Sequence, residues 1–321
     1  MEIRHNFPLA EILHYKIGGS AKTLIYIRSK EDLVEAFAYM KQHAIQRVLP
    51  IGIGANLLMT DSFFDGVVLY FTKGENASIQ TENNNVVEAF AGTLLDEVIH
   101  YAFSNNLVGL EWAGGLPSTV GGAVRGNVGC FGKEIKDVVE KVEVVDMNDP
   151  PYTIQALQNA ELAFSYRNSY IKKNKNLIVV TSFFRLQKAS KEKVEEAKKV
   201  YYGYIAYRKE NHPITYPNCG SVFKNITQKE NVSKVLSIWN DMEELVEKKW
   251  YGKIAMGYVI KRLGFSGFTV GGAEVSTLHS NYIINKNNAT FSDVMTIIEK
   301  IKEKFFQTFH FYPELEVELA I

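Results

Sequence analysis

The stretch from Gly114 to Gly132 most constrains how this chain folds. GGLPSTVGGAVRGNVGCFG puts glycine at 114, 115, 121, 122, 126, 129 and 132. Glycine loses more backbone freedom on folding than any other residue, so a fold accepts such a run where the backbone must turn tightly or approach something closely. Successive unhindered N–H groups form a concave nest for an anion, and a diphosphate is the usual occupant. A shorter stretch, Gly52-Ile53-Gly54-Ala55-Asn56-Leu57-Leu58, lacks the third glycine of a G-x-G-x-x-G fingerprint and runs on into apolar residues. Alone it reads equally well as a tight turn leaving a strand. Two nests in one domain fit a dinucleotide better than a mononucleotide.

A chain of 321 residues exceeds one ordinary core, so two or three subdomains are expected. Its formal net charge is zero, which argues against broad attraction to nucleic acid or an anionic membrane. An anionic substrate must therefore be met by individually placed cations. No uncharged apolar run approaches the ~18 residues that span a bilayer. The only cysteines, Cys130 and Cys219, make neither a disulfide framework nor a zinc site of their own, so no metal centre is expected. The start, MEIRHNFPLA, lacks the basic-then-apolar pattern of a signal peptide. Together these features predict a soluble, cytoplasmic protein with no nucleic-acid or membrane partner.

Along the chain, KIGGSAKTLIYIRS reads as a glycine turn and a strand, and Ser29-Lys30-Glu31-Asp32 as a capping box. The helix behind it carries Leu33, Phe37 and Met40 on one face, and VLPIGIGANLLM completes a βαβ unit. From about Gly66 to Gln187 short alternating strands dominate: GVVLYF, NVVEAFA, EKVEVVDM and LIVVTSFFRL. One amphipathic helix, LLDEVIHYAFSNN, interrupts them. Lys188 to Asn211 reads as a charged helix with Val194, Ala197, Tyr201 and Tyr204 or Ile205 at helical spacing. Beyond it, strands are expected around GSVFKN and HSNYIIN. A long helix opens at Thr290 on a stripe of Val294, Ile297, Ile298, Ile301 and Phe305, and ELEVELAI reads as a last strand. This mixture is an α+β architecture.

The sequence GLEWAGGLPSTVGGAVRGNVGCFG, with IGIGANLL before it, resembles the FAD-binding half of the UDP-N-acetylenolpyruvoylglucosamine reductase family. More broadly it is similar to vanillyl-alcohol-oxidase (PCMH-type) FAD domains. The resemblance implies a two-subdomain FAD-binding module over residues 1–190, divided near residue 70, and a smaller α+β substrate domain over 191–321. It implies non-covalent FAD, its diphosphate wrapped by Gly52, Ile53, Gly54, Ala55, Asn56, Leu57 and Leu58. Gly115, Pro117, Ser118, Thr119, Gly121, Gly122 and Ala123 would complete that wrapping. Ser118 stands where the family more often has glycine, and its hydroxyl can donate to phosphate.

Reducing an enolpyruvyl ether needs a hydride, a fixed cation for the substrate carboxylate, a further hydrogen-bonding group and an acid for the carbanionic carbon. Ser165-Tyr166-Arg167-Asn168-Ser169 resembles the family's Y-R-x-S motif and implies Arg167 as the carboxylate grip. Asn218-Cys219-Gly220-Ser221-Val222-Phe223-Lys224-Asn225 is similar to its N-x-G-S-x-F-K-N, with Ser221 as proton donor. Tyr166, Lys209, Lys224 and Asn225 are implied as substrate-binding residues. Pro313-Glu314-Leu315-Glu316-Val317-Glu318 resembles L-E-P-E-V, with the proline displaced, and implies Glu316 as the catalytic glutamate. Strand alternation puts Glu314, Glu316 and Glu318 on one face, so spacing alone does not choose among them.

GGAEVSTLHSNYIIN, Gly271 to Asn285, is similar to a structural and substrate-lining segment, with His279 as a packing residue. About 45 residues precede it after Asn225, more than the family usually has there. Trp239, Leu245 and Trp250 within them are expected to pack an added helical element on the substrate domain. The resemblance further implies NADPH as reductant, a UDP-sugar as substrate and a monomer. Two rival readings remain. One is an FAD oxidase of the same superfamily acting on an alcohol or hydroxy acid, with Cys130 as the tempting flavin tether. The other is a nucleotide-binding protein whose catalysis has decayed.

Overall fold

The structure is a computed structural model that describes residues 1–74, 79–82 and 85–321. The chain divides into two compact units, one of residues 1–7, 21–53 and 64–210, the other of 8–20, 54–63 and 211–321. The sequence reading cuts the chain once, near residue 190. The contacts instead keep helix Lys191–Asn211 with the first unit up to Glu210 and hand two short N-terminal segments to the second.

In the first unit, strands Ser20–Ile27 and Val48–Ile51 run parallel on either side of Phe64–Phe71, with helix Lys30–Gln42 as the crossover. Phe64–Phe71 contains the GVVLYF segment that its pattern groups with the later alternating strands. Its burial explains the difference. Phe64, Val67, Val68, Leu69 and Phe71 are all buried, the near-continuous apolar run of a parallel strand covered on both faces. The crossover helix buries Leu33, Phe37 and Met40 as expected, joined by Ala36. Ser29 Oγ accepts from the Asp32 amide at 3.2 Å. The reciprocal bond of a capping box falls one residue earlier, where the Asp32 carboxylate accepts from the Arg28 amide at 2.9 Å.

The second sheet of this unit is antiparallel, ordered Gln155–Gln158, Val139–Asp146, Leu177–Arg185, Val86–Phe90, Gln80–Glu82. Helix Leu95–Ser104 packs Val98, Ile99 and Ala102 into the same core. Helix Lys191–Asn211 adds Val194, Ala197 and Tyr201, and its buried stripe continues to Arg208.

The second unit is built around helix Phe291–Phe309, which buries Val294, Ile297, Ile298, Ile301, Phe305 and Phe309. Thr290 and Asp293 form a complete capping box, with bonds of 3.1 and 2.9 Å. A three-stranded antiparallel sheet joins Thr269–Val270, Ala273–Val275 and Ile283–Asn285. Helices Lys229–Ile238, Glu243–Lys248 and Met256–Arg262 lie in the added region, the first two burying Val232, Val235 and Val246. Trp239 meets Phe309 edge-on at 4.8 Å, and Trp250 meets Tyr258 at 5.3 Å.

Two expected strands come out shorter. Around GSVFKN there is a single bridge, Phe223 to Leu315. The Asn281 side chain takes both the amide and the carbonyl of Phe223, at 3.0 and 2.8 Å, so no ladder continues there. The closing strand narrows to Glu318–Ala320, parallel to Leu57–Met59. Glu314, Glu316 and Glu318 therefore do not share one continuous strand.

Candidate active site residues in the two units

In the first unit the second glycine stretch is pinned backbone to backbone. Val120 and Gly121 donate to the carbonyls of Thr93 and Ala91, at 2.8 and 2.9 Å, and Leu95 donates to Ser118 O at 2.9 Å. Thr119 caps helix Val120–Gly126 by accepting from the Gly122 amide, and Ala123 is buried in that helix. Gly52 lies against this cap: a Cβ on Gly52 would stand 2.4 Å from Thr119 Oγ1. The two glycine stretches therefore meet at a point where only glycine fits. The amides of Ile53, Ser118 and Thr119 have no acceptor among the described residues. The Ser118 hydroxyl donates to Thr119 O at 2.9 Å, so the group it leaves for a ligand is its amide. Gly115 has φ +70°, and Gly115, Pro117 and Gly122 are exposed.

Arg167 and Tyr166 form the tip of a tight turn closed by two bonds between Ser165 and Asn168, each 3.0 Å. The turn is held from behind. Asn127 donates to Ser165 O at 2.8 Å, and Ser169 Oγ donates to Arg125 O at 2.7 Å. Ser169 also caps the short helix Tyr170–Lys173, so the serine of Y-R-x-S serves the backbone. Arg167 sits in left-handed backbone, φ 55°, an uncommon conformation for a bulky residue. Its Nη2 donates to Gly129 O at 2.8 Å. Lys209 is exposed on its helix. Its neighbour Arg208 is buried, with Nε on Gly114 O at 2.9 Å and Nη2 on Cys130 Sγ at 3.1 Å. Cys130 Sγ in turn donates to Trp112 O at 3.3 Å.

In the second unit Ser221 follows Gly220, whose φ of +76° only glycine adopts easily, and buried Asn218 organises the approach. Asn218 Oδ1 accepts from the Gly220 amide at 2.9 Å, and its Nδ2 donates to Tyr216 O at 2.8 Å. Ser221 is half-buried. Beyond it, Val222 N donates to Asn281 O and Glu316 N donates to Val222 O, both at 2.8 Å. Asn56 donates from Nδ2 to Glu316 O at 3.0 Å and accepts from Glu318 N at 3.0 Å. Gly54, at φ +68°, lies against Leu13, and Ala55 is half-buried. Leu57 and Leu58 pair with Glu318 and Leu319, with Leu58 fully buried in the core.

Lys224, Glu314, Asn225 and His279 of the family-like motifs have structural partners. Lys224 Nζ stands 3.1 Å from Glu314, which Gln228 also contacts at 3.1 Å. The Lys224 and Gln228 hydrogen bonds hold the Glu314 carboxyl below its ordinary range, so Glu314 is a committed carboxylate. Asn225 Oδ1 accepts from Met256 N at 3.0 Å and caps helix Met256–Arg262. His279 accepts from Asn281 N at 3.3 Å, and burial lowers its pKa. Burial also pushes the Cys219 thiol up to about 12.

Sequence reasoning passed over Arg208 and Asn281. The first was within reach, because 208 continues the 194, 197, 201 stripe, and a charge on a core stripe is a signal. Asn281 carries no such signal, since its partner lies 58 residues away.

Residues 21–149 match the FAD binding domain family, and residues 212–320 match the family described as UDP-N-acetylenolpyruvoylglucosamine reductase, C-terminal domain. A flavin-binding first unit joined to this reductase domain defines an FAD-dependent oxidoreductase of α+β fold. The UDP-N-acetylenolpyruvoylglucosamine reductase of Caldanaerobacter subterraneus is 36% identical over 304 residues, 94% of this chain and 89% of its own. That of Parasynechococcus marenigrum is 33% identical over 319 residues, 98% and 96% of the two chains. The crystal structure of the Thermus caldophilus reductase matches with a TM-score of 0.74 at 25% identity, covering 100% of this chain and 98% of that one. This chain belongs to the UDP-N-acetylenolpyruvoylglucosamine reductase family.

Proposed function

We propose that the protein reduces the enolpyruvyl group of UDP-N-acetylglucosamine enolpyruvate to the lactyl ether, giving UDP-N-acetylmuramate for peptidoglycan synthesis. NADPH is the reductant, FAD is held without a covalent bond, and the enzyme acts as a cytoplasmic monomer. Among the described residues no helix is long and apolar enough to cross a membrane. The observation that carries the reading is the bond from Glu316 N to Val222 O, which brings the backbone of the proposed acid Ser221 and that of Glu316 together within one unit.

The first unit fits a dinucleotide. Gly52 abuts Thr119 with no room for a side chain, and the amides of Ile53, Ser118 and Thr119 are available to an anion. FAD, when bound, supplies the hydride. Everything else falls to side chains. Arg167, held at the tip of its turn with Nη2 on Gly129 O, grips the substrate carboxylate. Ser221 gives its proton to the carbon next to that carboxylate. Glu316 hydrogen-bonds the charge that builds there. Tyr166, Lys209, Lys224 and Asn225 are the proposed substrate-binding residues, Lys224 being oriented by Glu314 and Asn225 acting through its cap.

The relatives favour the reductase over the oxidase reading, and Cys130 Sγ, the candidate tether, hydrogen-bonds Trp112 O and Arg208. Stopped-flow spectroscopy tests the proposal. NADPH should bleach the flavin, and the enolpyruvyl sugar should restore its colour anaerobically. Reoxidation by oxygen alone, with no response to the sugar, would overturn it. Light scattering on the eluting protein tests the monomer.

A further inference from the structure

Asn127 interrupts the second glycine stretch with a fully buried side chain. Its backbone ends helix Val120–Gly126 in the left-handed region, at φ 43° and ψ 58°. The helix closes there: Asn127 N donates to Val124 O at 3.1 Å, and Val128 N to Ala123 O at 2.9 Å. Glycine is the usual residue at such a cap, because it adopts this conformation without strain. The cap therefore does not call for asparagine. The side chain's bonds do. Nδ2 donates to Ser165 O at 2.8 Å, and Oδ1 accepts from Lys136 N at 3.3 Å. Only a primary amide of this length donates at one end and accepts at the other.

Ser165 O is also the carbonyl that closes the Arg167 turn, accepting from Asn168 N at 3.0 Å. Two more bonds join the same segments. Ser169 Oγ donates to Arg125 O at 2.7 Å, and Arg167 Nη2 donates to Gly129 O at 2.8 Å. Residues 125, 127 and 129 of the glycine stretch thus meet residues 169, 165 and 167. The stretch is itself tightly placed, since a Cβ on Gly129 would stand 2.5 Å from Lys133 O. Arg167, at φ 55°, sits in backbone that persists only where its surroundings over-determine it.

We infer that Asn127 is a positioning residue for Arg167. Its buried amide ties the turn to the glycine stretch and so sets where the guanidinium meets the substrate carboxylate. What Arg167 grips rests on the proposed function; how its turn is held does not.

Asn127→Gly keeps the cap and removes only the amide. Asn127→Asp keeps the shape and the acceptor for Lys136 N, and replaces the donor to Ser165 O. Titration of the purified, oxidised holoproteins, followed by flavin absorbance, gives dissociation constants for two ligands. One is the enolpyruvyl sugar; the other is UDP-N-acetylglucosamine, which lacks the carboxylate. FAD retention is read from flavin fluorescence on dilution.

Both variants should bind the enolpyruvyl sugar roughly 5- to 50-fold more weakly, between the loss of one neutral hydrogen bond and the misplacement of a reacting group. Binding of UDP-N-acetylglucosamine and of FAD should stay at the parent's level. In an Arg167→Ala background either change should have no further effect, because residues that act through one another are not additive. Weakening shared by all three ligands, or persisting in full without Arg167, makes Asn127 a general support of the fold and overturns the inference. Unchanged constants in a folded variant overturn it too, as does failure of both variants to fold; if only one folds, that one decides. The functional reading fails separately. An Arg167→Ala protein that binds the enolpyruvyl sugar as the parent does removes the grip, and the inference with it. A weakened Arg167→Ala protein beside an unaltered Asn127→Gly protein sinks the inference alone.

Discussion

The amide of Glu316 donates to the carbonyl of Val222 at 2.8 Å, one residue beyond Ser221. A main-chain bond between these two segments fixes where both side chains begin, before either side chain is considered. It also separates Glu316 from Glu314, whose carboxylate is spent on Lys224 and Gln228.

Ser221→Ala should stop reoxidation of the reduced flavin by the enolpyruvyl sugar while NADPH still bleaches it at the parent rate. Removing a general acid slows its step by about 10²- to 10⁴-fold. Stopped-flow measurement of each half-reaction checks this; equal loss in both would remove Ser221 from its role.

Glu316→Gln should lower kcat by about 10²-fold or more, as expected for a group that stabilises developing charge. Glu314→Gln acts through Lys224 and Gln228, on a carboxylate that is 57% exposed, and should cost less than about 1 kcal/mol. Steady-state kinetics on the two variants discriminate them, and comparable losses of kcat would contradict the assignment.

Gly52→Ala drives a methyl group into Thr119. Overpacking of this kind costs about 1 to 3 kcal/mol, and here it should also loosen the loop and weaken FAD retention. Adding Thr119→Ala should restore part of the thermal stability. Melting curves of the single and double variants are the check.

Asn281→Ala strips both hydrogen bonds from the buried backbone of Phe223, at an expected cost of about 2 to 4 kcal/mol in urea unfolding. Because Asn281 steadies the residues after Ser221, kcat should fall as well. A variant as stable as the parent would show that the pair carries no net stabilisation.

Burial lowers the pKa of His279 below its ordinary 6.5, so the unfolded chain takes up this proton more readily than the folded one. Stability from this residue is therefore full above pH 6.5 and declines as pH falls from there towards the lowered value. Urea midpoints between pH 5 and 7 should show that slope, and His279→Gln should flatten it.

Periodic segments were legible in the sequence. Leu33, Phe37 and Met40 mark one helix, and the Thr290 cap with its stripe marks another, because burial repeats at the helical period. The glycine stretches were legible as close-approach backbone, as Gly52 against Thr119 bears out. The position of Phe64–Phe71 between two earlier strands was not, since a fully buried strand does not alternate. Nor was the sorting of Glu314 from Glu316, or the capping work of Asn225. Each depends on one long-range bond that local pattern does not encode.

Asn56 and Glu316 lie 260 residues apart, yet their bond and the pairing of Leu57–Met59 with Glu318–Ala320 set the position of the glutamate. Contacts this distant in sequence form late and slowly. During synthesis Leu57–Met59 leaves the ribosome long before its partner strand is translated. A growing chain can complete its first unit while the glutamate that this reading assigns to chemistry has yet to be made. On this reading catalytic competence waits until Glu316 and the strand after it have been translated and paired with Asn56 and Leu57–Met59.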